Sequence, residues 1–341
     1  MSDATLATAL TRDAGIEVPL IGGAMYPCSN PELVGAVSAA GGIGIVQPIS
    51  LTYVWGQPFR EGLRQIRTLA GGRPIGMNAL IEASSKAYRK RMEEWVDVAL
   101  EEGIRFFVTS LGNPRWVAER AHRVGGLVYH DVTERKWAQK GLDAGADGFI
   151  AVNRDAGGHA GTRSPAALLE ELADLGKPVV CAGGVGDPAA FARALALGYA
   201  GVQIGTRLIA STECKASDAY KRAIVEADAD DIVHSERITG VPLAVIDTPH
   251  VRRVGLEAGP IARWMLRGRK TKHWMRTIYA VRSLVRLKKA TLAGTQAKPG
   301  SRATADYWQA GRSVAGVREV LPVAEIVGSF AAAARDAARH P

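Results

Sequence analysis

The sequence predicts an α/β protein built on a (β/α)8 barrel with an inserted C-terminal helical region. Three observations predict it. Eight short apolar, β-branched runs recur between residues 18 and 205, each followed by a helical stretch. The helices open on strong start signals and close on glycine. Residues suited to chemistry follow many of the strands, as they do when loops converge on one barrel face. A doubly wound open sheet is the competing arrangement. The count of eight and the spread of special residues favour the barrel.

The strands are read at Val18–Gly22, Gly44–Gln47, Ile75–Leu80, Phe106–Ser110, Leu127–His130, Gly148–Val152, Pro178–Ala182 and Gly201–Gly205. Asn30-Pro31 before ELVGAVSAAG, Asn113-Pro114 before RWVAERAHRVGG and Asp187-Pro188 before AAFARALALG each offer a capping side chain and a proline at the first helical turn. Short buried strands alternating with helices of this length make βαβ units and a parallel sheet. After Thr206 the pattern changes. Residues 215–231 read as a helix with an acidic end, 232–257 are mixed and broken by Pro242 and Pro249, and 260–290 form a basic, partly amphipathic helical stretch. Residues 294–303 read as linker and 306–340 as a terminal helical region. The expected division is a barrel over 1–226, a helical lid or substrate region over 227–305, and a helical region over 306–341 that returns to the barrel.

The 341 residues are 47% apolar and 23% charged, ordinary globular material long enough to bury a core without staples. The 38 glycines exceed an average share of roughly 7% and gather in GG and GxG clusters, not in a repeat. Cys28, Cys181 and Cys214 are odd in number and widely spaced, which argues against a disulfide framework or a zinc site. The start shows no signal-peptide pattern and no apolar run approaches a membrane span, so a cytoplasmic enzyme is expected. No metal is implied, because His and acidic residues do not cluster with ligand spacing.

At the strand ends the clearest ligand signal is a pair of glycine steps. Gly183-Gly184 follows the seventh strand and Gly205-Thr206 the eighth. Glycine lets backbone N–H groups approach a phosphate, and loops after strands 7 and 8 are the usual phosphate site of such barrels. Each pair taken alone also suits a tight turn. After the sixth strand comes RDAGGHAGTRSP, which sets His159 between glycine steps. An imidazole there is either a loop histidine held by a backbone carbonyl or a group able to act as base or donor near neutral pH, with room beside it for a flat ligand.

GGAM, PIGMN, DAGGHAG, CAGGVGD and VQIGTRLIASTEC, in this order, resemble the nitronate monooxygenase family, formerly called 2-nitropropane dioxygenases. DYWQAGRSVAGV (306–317) resembles its C-terminal segment beside the flavin. The resemblance implies an FMN-dependent barrel enzyme. It implies that Ala24 and Met25 lie against the flavin, that Asn78 hydrogen-bonds its ring, and that Gly158 supports it. It further implies that Gly183, Gly184, Gly205 and Thr206 hold the FMN phosphate and that His159 is the catalytic histidine. Two positions depart from the family pattern. Gly22 stands where many members have Gln, and His130-Asp131 stand where some have a Lys near the flavin. His130 is taken here as a further flavin neighbour. Asp131 would orient His130 or repel an anionic substrate; an N-cap aspartate and a core histidine are the plainer alternatives. Tyr26, Tyr53, Trp55, Tyr307 and Trp308 are candidates for pocket walls or for ordinary packing.

From Ala258 to Ala305 there are twelve Lys or Arg and no Asp or Glu, against a net charge of +9 for the whole chain. Residues 263–289 add Trp264, Trp274, Ile278 and Val285 to the basic residues. The stretch reads as a lid with its charges in water, as a surface for an acyl-carrier or CoA-type partner, or as a membrane contact. It lacks a recognised nucleic-acid-binding motif. The expected reaction is oxidation of an alkyl nitronate by O2 to a carbonyl compound and nitrite, with His159 stabilising the nitronate or taking the α-proton of a nitroalkane. A flavin reductase using NAD(P)H on enoyl thioesters or quinones shares the same frame. A non-catalytic protein that binds a phosphate ligand or a membrane is the reading from another class.

Overall fold

A computed structural model describes residues 6–82, 86–237, 240–257, 285, 287–289, 291–292 and 307–339. The β-branched runs pair in parallel as β1 Leu20–Gly22, β2 Ile43–Val46, β3 Ile75–Ile81, β4 Phe106–Leu111, β5 Leu127–Val132, β6 Gly148–Val152, β7 Val179–Ala182 and β8 Gly201–Ile204. They close in sequence order, with β8 hydrogen-bonded to β1. The expected barrel is therefore what forms, and each strand lies within two residues of its expected bounds.

Around it run α1 Ala9–Ala14, α2 Pro31–Ala39, α3 Phe59–Leu69, α4 Lys86–Glu101, α5 Arg115–His122, α6 Arg135–Asp143, α7 Pro165–Leu172 and α8 Pro188–Ala196. The start signals act in different ways. Asp187 caps α8 through the Ala190 amide at 2.7 Å. Asn30 makes no cap bond; its amide donates instead to Glu32 and to the Glu213 carbonyl, tying α2 to the segment after β8. The N-terminal end of the barrel is closed by α1, where Leu10 abuts Gly201 and Asp13 accepts from the Tyr129 hydroxyl at 2.7 Å.

Side chains alternate between the barrel axis and the helix layer. Ile21, Ile45, Phe106, Val108, Tyr129, Ile150, Val180 and Ala182 share the inner cluster, while Met77, Ala79, Val128, Ala151 and Cys181 pack outward on the helices. The strand register sorts the inner positions into layers contributed by alternate strands. Ile45, Val108, Ile150 and Gln203 form one layer. One residue further along, toward the C-terminal mouth, Gly23, Asn78, Asp131 and Ala182 form the next.

Beyond β8 come the short α9 Thr206–Ile209 and α10 Asp218–Glu226. Residues 227–257 differ from the expected helical lid. They contain β9 Ile232–Ser235 and β10 Leu243–Ile246, an antiparallel pair, before α11 Pro249–Val254. The β-branched residues Ile232, Val233, Val245 and Ile246 sit in extended backbone, and Pro242 and Pro249 stand at element edges where no amide is needed. The C-terminal helix Val323–Arg339 returns to the barrel wall on α8 and α2, with the Phe330 ring 5.3 Å from that of Phe191. Phe330 is fully buried, so Phe330→Ala is expected to lower stability by roughly 3–5 kcal/mol in chemical denaturation. A loss below about 1 kcal/mol would show the helix to be dispensable to the wall.

Among the described residues no helix is long and apolar enough to cross a membrane. Trp264, Trp274 and Ile278 of the basic segment lie outside the described residues. Of its end, Leu287 is buried with Leu243, Val245, Val251 and Tyr307, Lys288 donates to the Tyr53 carbonyl at 3.1 Å, and Val285 is exposed.

Candidate active site

The C-terminal mouth of the barrel is floored by the layer holding Asn78 and Asp131. Gly23 and Ala182 fill its other two places with almost no side chain, so the floor is half open. Asp131 Oδ1 and, from the layer below, Gln203 Oε1 are buried with no hydrogen-bond partner among the described residues. Unpaired buried polar atoms are rare and costly, and they point to a bound group in this mouth.

Three loops converge on one side of it. Asn153, fully buried at the end of the β6 run, donates its amide to the Gly183 carbonyl at 3.0 Å and accepts from the Asp155 amide at 2.8 Å. It thereby locks the loop after β6 to the turn after β7. Gly183 and Gly184 have φ of 118° and 80°, left-handed values that favour glycine. Gly205, after β8, lies against Met25, whose sulfur would stand 3.2 Å from an added Cβ. Met25 is held in turn by Ser29 Oγ, which accepts its amide at 2.8 Å, and Ala24 packs on the inner cluster. The Thr206 hydroxyl accepts from the Gly311 amide at 3.0 Å, and the Arg312 amide donates to the Asp155 carbonyl at 3.0 Å. The segment resembling the family's C-terminal element therefore lies across the post-β6 and post-β8 loops.

Sequence reasoning missed the part played by β10. The Ala244 amide donates to the Gly158 carbonyl at 2.8 Å, the Ile246 amide donates to the Trp308 carbonyl at 2.9 Å, and Val245 bridges Gln309. The strand thus joins the histidine loop to the C-terminal arm. Pro242, just before the strand, supplies the contact that orients His159, whose Nδ1–H donates to the Pro242 carbonyl at 3.1 Å. A carbonyl only accepts, so in the neutral ring the proton is on Nδ1 and Nε2 is a bare lone pair. The ring is open at the rim, yet enough protein surrounds it that desolvation lowers its pKa from 6.5, against the smaller opposing pull of the Pro242 bond. Of the alternatives posed for this histidine, the structure shows the first, a backbone carbonyl that fixes it; among the described residues its other nitrogen has no hydrogen-bond partner.

His130 does not face the mouth. It is buried on the outer side of β5, its ring against Gly141 of α6 and its Nδ1 2.9 Å from Thr109 Oγ1. Burial pushes its pKa down to about 4. The placement of His130 beside the flavin is thus corrected, because strand alternation sends Asp131 to the axis and His130 to the helices. For the same reason Asp131 does not orient His130. Of the aromatic candidates, Trp308 stacks on Tyr220 at 5.7 Å, Tyr307 packs edge-on to His250 at 4.9 Å, and Tyr53 is exposed beside Trp95. Cys28 is buried, and its hydrogen bond with the Cys214 thiol, followed by burial, holds its pKa well above the usual range. Cys28 is therefore not a thiolate available for chemistry.

Comparison with known proteins agrees with this geometry. A relative from Rhodococcus jostii (strain RHA1), a (3aS,4S,5R,7aS)-5-hydroxy-7a-methyl-1-oxo-octahydro-1H-indene-4-carboxyl-CoA dehydrogenase, is 30% identical over 245 residues, covering 72% of this chain and 67% of its own. A nitronate monooxygenase from Pseudomonas aeruginosa is 30% identical over 257 residues, covering 63% and 72%. FabK from Thermotoga maritima superposes with a TM-score of 0.77 at 26% identity, covering 98% of this chain and 97% of that one. Nitroalkane oxidase from Streptomyces ansochromogenes shares the fold with a TM-score of 0.72 at 23% identity, covering 97% and 99%. The nitronate monooxygenase family model matches residues 7–332, from α1 to the C-terminal helix, and the chain is an oxidoreductase belonging to that family.

Proposed function

We propose that the chain is an FMN enzyme that oxidises alkyl nitronates with O2 to a carbonyl compound and nitrite, with His159 as the base that takes the α-proton when a neutral nitroalkane is the substrate. One observation carries the reading: the glycine turns after β7 and β8 and the His159 loop border the same mouth, joined through Asn153, Thr206 and Gly311. The residues present fit a flavin. Gly183, Gly184, Gly205 and Thr206 would hold the phosphate through backbone N–H groups, with Gly158, Ala24 and Met25 against the ring system. The half-open floor leaves room for a planar ring, and Asn78 faces it. Bound there, the flavin supplies the two-electron chemistry, and the protein supplies binding, orientation and proton handling.

The bare Nε2 favours one of the two roles considered for His159. A neutral ring with its only N–H tied to Pro242 accepts a proton from carbon but has no donor to offer a nitronate anion. Base catalysis is therefore better supported than anion stabilisation.

A second reading has its own support. The relative from Rhodococcus jostii acts on a CoA thioester, and residues 258–305 carry twelve basic residues that suit a polyphosphate-bearing substrate. On that reading the same base acts on a carbon acid beside a thioester carbonyl, and NAD(P)H serves as reductant in the reverse sense. Anaerobic stopped-flow mixing of the purified protein separates the two. Bleaching of the flavin by a nitronate alone, with none by NADH or NADPH, is the expected result. Rapid bleaching by either nicotinamide and none by nitronates would replace the first reading with the second. A colourless protein that takes up no FMN would leave neither standing.

A further inference from the structure

Asp131 is the ionisable side chain that the strand register sends into the floor of the mouth. We propose that Asp131 contacts the ligand there as a neutral carboxylic acid, donating a hydrogen bond to an acceptor atom on the edge of the flavin ring. The inference rests on the FMN reading above. The proton stays on the carboxyl throughout; no covalent bond is made or broken.

Three observations lead to it. The floor layer holds Gly23, Asn78, Asp131 and Ala182, so Asp131 and Asn78 are its only side chains longer than a methyl. Asp131 Oδ1 is buried and has no hydrogen-bond partner among the described residues. Among the described residues no ion pair reaches it. Its register neighbour on β6 is Ile150, and its chain neighbour His130 is turned to Thr109 and α6. His159, in the loop after β6, has its Nδ1–H already committed to Pro242. A carboxylate in such a place pays desolvation, and no hydrogen bond or ion pair to Oδ1 among the described residues offsets it, so the neutral form is favoured up to about neutral pH. Burial alone accordingly raises its pKa from 3.8 to about 7.

A neutral acid also suits the occupant. The edge of a flavin ring carries carbonyl oxygens and ring nitrogens that accept hydrogen bonds, and it gains negative charge on reduction. A carboxylate would repel that charge, whereas a carboxylic acid donates to it. It likewise removes the repulsion that an ionised Asp131 would exert on an anionic nitronate.

The test uses the full chain with FMN as the probe. Asp131→Asn keeps the shape and an N–H donor but cannot ionise; Asp131→Leu removes the donor. Flavin fluorescence gives the FMN dissociation constant from pH 6 to 9. Wild type is expected to match Asp131→Asn at pH 6 and to lose at least about tenfold in affinity relative to it between pH 7 and 8.5, as residue 131 ionises. Asp131→Leu is expected to bind about tenfold or more weakly at pH 6, with no such separation. The FMN phosphate and His159 titrate in all three proteins, so the differences isolate residue 131.

A second readout needs no FMN. The unfolded carboxyl gives up its proton near 3.8 and the folded one near 7, so wild type loses stability as pH rises through that window. The Tm advantage of Asp131→Asn is expected to be absent at pH 3.5, to grow up to pH 7, and to stay level above it. Parallel binding curves for wild type and Asp131→Asn, or undiminished FMN binding by Asp131→Leu, would overturn the proposal. Failure of every variant, wild type included, to bind FMN would overturn the FMN reading instead.

Discussion

Replacing His159 with glutamine is expected to slow turnover of a neutral nitroalkane by about 10²–10⁴-fold, the usual contribution of a positioned general base. Oxidation of the preformed nitronate of the same compound is expected to be largely unchanged. Glutamine keeps an N–H that reaches the Pro242 carbonyl, so the loop stays tied to β10, but it has no basic nitrogen to aim at carbon. The pH profile gives an independent reading. Desolvation places the His159 pKa below 6.5, and a base must be unprotonated to act. Wild-type kcat/KM on the nitroalkane therefore rises with pH through a value below 6.5 and is flat above it, and the glutamine variant lacks that rising limb. An equal loss on nitroalkane and nitronate would show that the residue orients ligand without moving a proton. Full activity on both would remove it from the chemistry.

Gly183→Ala is expected to yield a protein without flavin. The backbone there has φ of 118°, and an added Cβ would stand 2.4 Å from Asn153 Oδ1 and 2.5 Å from the Ala156 amide. Neither neighbour can yield, since Asn153 is fully buried and already bonded to Gly183 and Asp155. The φ strain alone costs about 1–3 kcal/mol. Relief of the clash must move the turn or the loop carrying Gly158 and His159, and either movement spoils the cradle. Gly176→Ala is the control, with φ of 64° and nothing within 4 Å of the new methyl. It should lose stability through strain but keep its flavin. The visible-to-ultraviolet absorbance ratio of the purified proteins, with their Tm values, separates the two effects. Full flavin in Gly183→Ala would show that the turn does not hold the cofactor.

The barrel was legible because its strands are short, β-branched and bounded by glycine and capped helices, signals that act within a few residues. The glycine steps were legible for the same reason. Strand facing was not. Parallel strands buried on both sides carry no alternation of polar and apolar residues to mark the inner face. His130 and Asp131, adjacent and both ionisable, therefore could not be told apart, although only one reaches the axis. β9 and β10 escaped notice because four-residue strands in a stretch broken by prolines look like irregular chain, and the bridging partners of β10, Gly158 and Gln309, lie far away in sequence. Asn153 left one faint signal: a polar residue closing an apolar run just before the glycine loop.

The Pro242 carbonyl that orients the imidazole of His159 lies 83 residues downstream of it. A chain emerging from the ribosome can close all eight strands and shape both glycine turns before that carbonyl exists. Until residues near 240 and the arm near 310 arrive, the imidazole has no fixed tautomer and no fixed aim. Synthesis order thus imposes a sequence on maturation, in which a nascent barrel is complete as a scaffold well before it is competent as an enzyme.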